Sequence, residues 1–194
     1  MIGAATTTER AAPSAGAWPR LKAMAIDLTV VAGWAAFAAV AGSVARASGF
    51  DFATPRQSDT FAFATLVAPV ILTFAFQEAS ARRATFGKRR LGLVVTDRSG
   101  RRLGLGRALT RSAVKFLPWQ LAHTAVFGLV AGSTSTGLMV LAITAQALVV
   151  ASVIAMAIDP RHRAFHDWLA GTQVSTTGLA RSESDHSSKK GKVS

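Results

Sequence analysis

The sequence predicts an all-α membrane protein: a bundle of four transmembrane helices carrying a short cytoplasmic β-hairpin between the second and the third. Three observations predict it. Half of the 194 residues are hydrophobic and only 16% are charged, although the formal net charge is +12, so apolar residues and charges must be segregated along the chain. Four apolar stretches, residues 23–45, 61–79, 116–132 and 136–158, have the length a helix needs to cross the hydrocarbon core. Finally, with both termini on one side, that side holds all but two of the 22 Lys and Arg residues, leaving only Arg46 and Arg56 opposite. By the positive-inside rule both termini and the 80–115 segment are then cytoplasmic.

The chain holds one domain, residues 18–175, between two tails. Residues 1–17 and 176–194 lack apolar periodicity and are rich in Ala, Thr, Ser, Gly and Lys, which predicts disorder. A pI near 11.7 would suit nucleic acid, but topology already accounts for the basic residues, each gaining about 1 kcal/mol beside anionic lipid head groups. The expected partner is the bilayer, with a second copy or another membrane protein beside it, and no nucleic acid. The absence of cysteine excludes disulfides, thiolate zinc sites and cysteine nucleophiles.

The first span follows Arg20 and Lys22 and contains Asp27. It exceeds the hydrophobic region of a cleaved signal sequence, despite the small-x-small "ARA" at 45–47, and reads as a retained helix. Its "AAFAAVAG" run permits close approach to another helix. Asp27, about one turn inside, needs a partner. Arg20 lies two turns away on the same face, roughly 10 Å along the axis, so Arg111 or Lys115 is the expected one. A protonatable carboxylate in an ion pathway is the alternative, with His123 in the third span as a second proton site or a helix-packing hydrogen bond.

After the second span, "RLGLVV" and "RRLGL" flank the turn cluster "TDRSG" and predict the hairpin. Beyond Gly106 the pattern is helical, with Arg107, Arg111 and Lys115 on one face as the chain enters the membrane. The third and fourth spans, joined by "GSTSTG", form an antiparallel pair.

The fourth span ends at Ile158, and Asp159, His162, His166 and Asp167 follow within ten residues. An i, i+4 histidine pair has zinc-site spacing, but Pro160, Arg161 and Arg163 disfavour a cation cage and no HExxH is present, so no metal is expected. The preferred reading is a turn at Asp159-Pro160 followed by a short interfacial helix with Phe165, Trp168 and Leu169 toward lipid or the bundle. "TFGKRR" lacks the first glycine and the Ser/Thr of a phosphate loop, "GLGR" is too short for a dinucleotide fingerprint, and no Ser-His-Asp set follows from spacing. No enzyme activity and no cofactor are expected.

"RLKAMAID" (20–27), "TFGKRRLGLVVTDRSGRRLGLGRALTRS" (85–112) and "DPRHRAFHDWLAGTQV" (159–174) resemble, in order, the three signature blocks of the RDD family of membrane proteins. The resemblance assigns the family arginine to Arg20, the first aspartate to Asp27 and the second to Asp167, with Asp159 the competitor. Phe86 stands where the family usually has proline, while Gly87 and Lys88 are kept. The family's members are bacterial and archaeal inner-membrane proteins, mostly of unknown function, with sodium/proton antiport proposed for some. The resemblance therefore implies a polar cluster of Arg20, Asp27, Arg111 and Asp167, with Lys88, Lys115, His123, Asp159 and His166 as secondary candidates. Cation/proton exchange is one expected function, and a non-transporting scaffold or accessory subunit binding a partner protein or anionic lipid is the alternative.

Overall fold

A computed structural model describes residues 14–177. Its elements, in order, are α1 (Ala17–Ala47), α2 (Pro55–Ala62) running through a π-helical turn (Phe63–Val67) into α3 (Ala68–Ala79), α4 (Phe86–Arg90), β1 (Leu93–Asp97), α5 (Leu105–Val130), α6 (Thr136–Ile158), α7 (Phe165–Ala170) and β2 (Thr172–Thr176). Pro69 cannot donate the amide bond a helix needs at that position and crowds the carbonyl four residues back, and the π-helical turn lies immediately before it. Thr54 and Gln57 cap the start of α2 reciprocally.

Among the described residues, three helices are long and apolar enough to cross a membrane: Ala17–Ala47, Pro55–Ala79 and Thr136–Ile158. The last coincides with the expected fourth span and is ~35 Å long, enough for a ~30 Å hydrocarbon core. The helix over the expected third span, α5, is not among the three; it carries Arg107, Arg111, Lys115, Gln120 and His123 and packs along α6 and α3.

Burial is inverted relative to a water-soluble fold. On α1 the buried stripe is Arg20, Ala23, Asp27 and Val31, while Leu21, Leu28, Phe37, Val40 and Val44 are exposed. On α6 only Ala145 is buried, and Val140, Ile143, Val150 and Ile154 face outward. Continuous apolar surface of this kind is matched by lipid rather than water.

The expected hairpin does not form. Strand β1 pairs antiparallel with β2, in the register Leu93 to Thr176 and Asp97 to Thr172. The chain does turn at "TDRSG", because Asp97 Oδ1 accepts from Ser99 N (2.9 Å), Ser99 Oγ (2.7 Å) and Arg101 N (2.9 Å). Residues 101–104 then carry no strand pairing, and α5 starts at Leu105, so "RRLGL" is consumed by the approach to a helix. A strand 75 residues further on takes its place.

That sheet, with α4 and α7, forms a cap over one end of the helices. Ala15 N donates to Val174 O (2.9 Å), tying the start of the chain to β2. Most of the two expected tails lies outside the described residues; within them Ser14 bridges Ser175, and Ala15 is buried. One apolar cluster, which includes Ala23, Ala79, Leu93, Val95, Ala108 and Val174, underlies the cap; a second, Val31, Leu66, Val67, Val70, Phe74 and Phe116, lies within the helices. On α1 and α5 the ionisable residues Asp27, Arg111 and Lys115 fall between members of the two clusters, so a polar layer is sandwiched between apolar ones.

Candidate functional site

The polar layer is an alternating chain of charges. Lys88 Nζ donates to Glu78 Oε1 (2.5 Å), and Arg111 Nη1 reaches both oxygens of the same carboxylate (2.5 and 2.6 Å). Arg111 then turns its Nε (3.0 Å) and Nη2 (2.9 Å) to Asp167 Oδ1. The other oxygen of Asp167 accepts from Arg20, whose second nitrogen donates to the carbonyl of His162. Lys88, Glu78, Arg111, Asp167 and Arg20 come one each from α4, α3, α5, α7 and α1, and all five are buried. Buried ions require this degree of mutual pairing, because removing one partner leaves a charge stranded at low dielectric.

Local structure aims each group. Asp167, in the first turn of α7, also accepts from Ala164 N (3.2 Å) and Thr172 Oγ1 (3.0 Å). Gly171, in the left-handed region at φ 62°, ends that helix and starts β2 one residue later, which puts Thr172 beside Arg111. Burial alone would raise the Asp167 carboxyl; the charge of Arg111, reinforced by Arg20 and Lys88, holds it well below the usual carboxylate range. Burial lowers the Lys88 ammonium, helped by Arg111 and opposed by Glu78. His166, beside Asp167 at 3.9 Å, is pushed down to about 3, chiefly by burial, so its imidazole is neutral at pH 7.

Asp27 does not pair with Arg111 or Lys115, as the sequence reading expected. Its Oδ2 accepts from Thr85 Oγ1 (2.6 Å) and its Oδ1 from the backbone N–H of Gly87 (2.7 Å). Two neutral donors on α4 and the residue capping it thus take the place of a cation, because Arg111 is already committed to Glu78 and Asp167. Every residue of "TFGK" is used: Phe86 N donates to Gln77 Oε1 (2.9 Å), and Lys88 reaches Glu78. A side chain at Gly87 would collide with α1, since a Cβ there would lie 2.1 Å from the carbonyl oxygen of Ala23. The hydrogen-bonded turn survives Phe86 in place of proline because these contacts hold it.

The remaining candidates separate. Asp159 is held within its own loop by Arg161 N (2.7 Å), Arg163 Nη2 (2.8 Å) and Trp168 Nε1 (3.0 Å), and the Arg163 hydrogen bonds, against some desolvation, keep it below the usual range. Asp167, not Asp159, is therefore the aspartate that meets Arg20. His162 has φ 51°, lies before α7 and turns Nδ1 to Met156 O (3.1 Å), so it and His166 do not share the helical face a zinc pair needs. His123 accepts from Trp119 Nε1 (3.1 Å) on its own helix rather than bridging helices, and its Nδ1 has no partner among the described residues. Lys115 lies over the rings of Phe74 and Phe116.

Sequence reasoning missed Glu78, the hub of the chain. The signal was present, since Glu78 is the only ionisable residue in 61–79. Thr85 and Thr172 carried no comparable signal.

An apolar outer surface around a buried, paired charge layer defines an integral membrane protein. The chain belongs to the RDD family, whose pattern matches residues 14–171. No curated protein and no solved structure matches it.

Proposed function

We propose that the protein is a multi-pass scaffold or accessory subunit of the bacterial inner membrane, with α5 as the third of four spans, both termini cytoplasmic, and a basic cap presented to anionic lipid or a partner protein. One observation carries this reading: both deep carboxylates of the charge chain, Glu78 and Asp167, are already taken up by Lys88, Arg111 and Arg20. Three cations on two carboxylates repel a further cation, which is the reverse of an ion-binding site. Exposed Arg82, Arg90, Arg98, Arg101 and Arg102 give the cap its basic surface and support its cytoplasmic placement.

Cation/proton exchange is the second reading, favoured by Asp27: it has no cation within 4.0 Å among the described residues and lines a cavity. Proton flux in proteoliposomes on addition of Na⁺, K⁺ or Li⁺ separates the two. The scaffold reading expects no cation-dependent flux from folded protein. Flux that disappears in Asp27→Asn overturns it in favour of exchange.

A further inference from the structure

Beside the neutral His166, the polar layer holds four cations (Arg20, Lys88, Arg111 and Lys115) and three carboxylates (Asp27, Glu78 and Asp167). The layer as a whole therefore carries one positive charge in excess. Arg20, Lys88 and Arg111 each have a carboxylate partner, whereas Lys115 has none within 4.0 Å among the described residues. Asp27 lines the same cavity as Lys115 without pairing with it, its oxygens accepting from Thr85 and Gly87.

Lys115 instead lines a cavity of about 350 Å³ bounded by α1, α3, α5, α6 and α7, a volume in the range of small-molecule sites. Lys115, Asp27 and His166 are its ionisable lining; the rest is mostly apolar, with Val31, Phe74 and Trp119 among its walls and Gln146 and Ser152 as polar exceptions on α6. Along α6 the lining runs from Val153 back to Ala145, ~12 Å at 1.5 Å per residue. Met24 and Leu28 on α1, and Val149 and Val153 on α6, line the cavity and are also exposed, so it opens sideways between two membrane helices. A mostly apolar slot open to the bilayer, with the Lys115 ammonium at its cap end, suits a lipid phosphate and part of one acyl chain.

The geometry points to a phospholipid site in which the lipid phosphate meets Lys115 and one acyl chain fills the slot between α1, α5 and α6. The phosphate supplies the negative charge the layer lacks, and His166 stands beside it as a neutral hydrogen-bond group. Entry is lateral from the bilayer, so the lipid needs no path through water. The inference goes beyond the scaffold reading and does not depend on it, since flux and lipid retention are measured separately.

Trp119 on the cavity wall provides the readout. In a variant with Trp18, Trp34 and Trp168 changed to Phe, phosphatidylglycerol with brominated acyl chains is titrated into nanodiscs of unbrominated phosphatidylcholine. Quenching of Trp119 should saturate at low mole fraction, and should need at least fivefold more lipid in Lys115→Met. Ser152→Phe, which fills the apolar slot and leaves Lys115 intact, should abolish the saturable phase. Native mass spectrometry of the unaltered protein should find one retained phospholipid, lost in both variants. Quenching that rises in proportion to mole fraction without saturating, or retention unchanged in Lys115→Met or Ser152→Phe, overturns the inference.

Discussion

Gly87→Ala tests the seam between α4 and α1. A Cβ at this position would lie 2.1 Å from Ala23 O, 3.0 Å from Ala23 C and 3.0 Å from Asp27 Cγ. Two of these are backbone atoms of a long helix, so α4 has to move by roughly an ångström to restore ordinary contact. That displacement stretches the 2.7 Å bond from Gly87 N and the 2.6 Å bond from Thr85 Oγ1, leaving the Asp27 carboxylate buried without its donors. Overpacking contributes about 1–3 kcal/mol, and a weakened hydrogen bond to a charged group about 1.5–3 kcal/mol, for a combined destabilisation of roughly 3–5 kcal/mol. Thermal unfolding in detergent micelles measures it, with Gly106→Ala as the control. Nothing lies within 4 Å of a Cβ at Gly106, and in the first turn of α5 alanine should be neutral or stabilise by up to about 1 kcal/mol. Equal melting temperatures for the two variants would refute the close approach of α4 to α1.

Three further outcomes follow from the same geometry. Exchanging the charges of Asp27 and Arg111 in one variant should not restore folding lost in either single reversal, because the two residues have different partners; recovery of folded yield contradicts this. Between pH 6.5 and 4.5 the unfolded chain protonates His166 while the folded one, with its imidazole held near 3, does not. The protein should therefore lose about 2 kcal/mol of stability on acidification over that window, and His166→Gln should flatten the slope, as read from melting temperature against pH. Oxidation of a Val94→Cys, Ser175→Cys pair, in a chain that has no other cysteine, should give an intramolecular disulfide joining β1 to β2. A disulfide formed instead between Val94→Cys and Leu103→Cys would restore the local hairpin.

Hydropathy made the helices legible, and long-range pairing hid the rest. Residues 136–158 coincide with α6 because nothing interrupts their apolar run, and Pro160 lies two residues beyond its end. The strand at Leu93–Asp97 was recognisable from its β-branched residues, but its partner was assigned to the nearest candidate, since no local pattern announces a strand some 75 residues away. The resemblance grouped Arg20, Asp27, Arg111 and Asp167; Asp167 joins Arg20 to Arg111, while Asp27 bonds to Thr85 and Gly87 instead. Asp27 was expected to pair with a side-chain cation, but its donors are the Thr85 hydroxyl and the backbone N–H of Gly87, and a backbone donor leaves no mark in the sequence. Glu78, at the end of an otherwise apolar run, escaped although it links Lys88 to Arg111.

Lys88, Glu78, Arg111, Asp167 and Arg20 act as one alternating chain holding the cap on the helices, and a double-mutant cycle at Glu78 and Lys88 measures that coupling. Glu78→Gln strands two buried cations and should destabilise by about 3–5 kcal/mol. Adding Lys88→Met removes one of those cations, so the double variant should be more stable than the sum of the single losses by about 1.5 kcal/mol or more. Losses that add within about 0.5 kcal/mol would contradict the account and leave the two residues as independent neighbours.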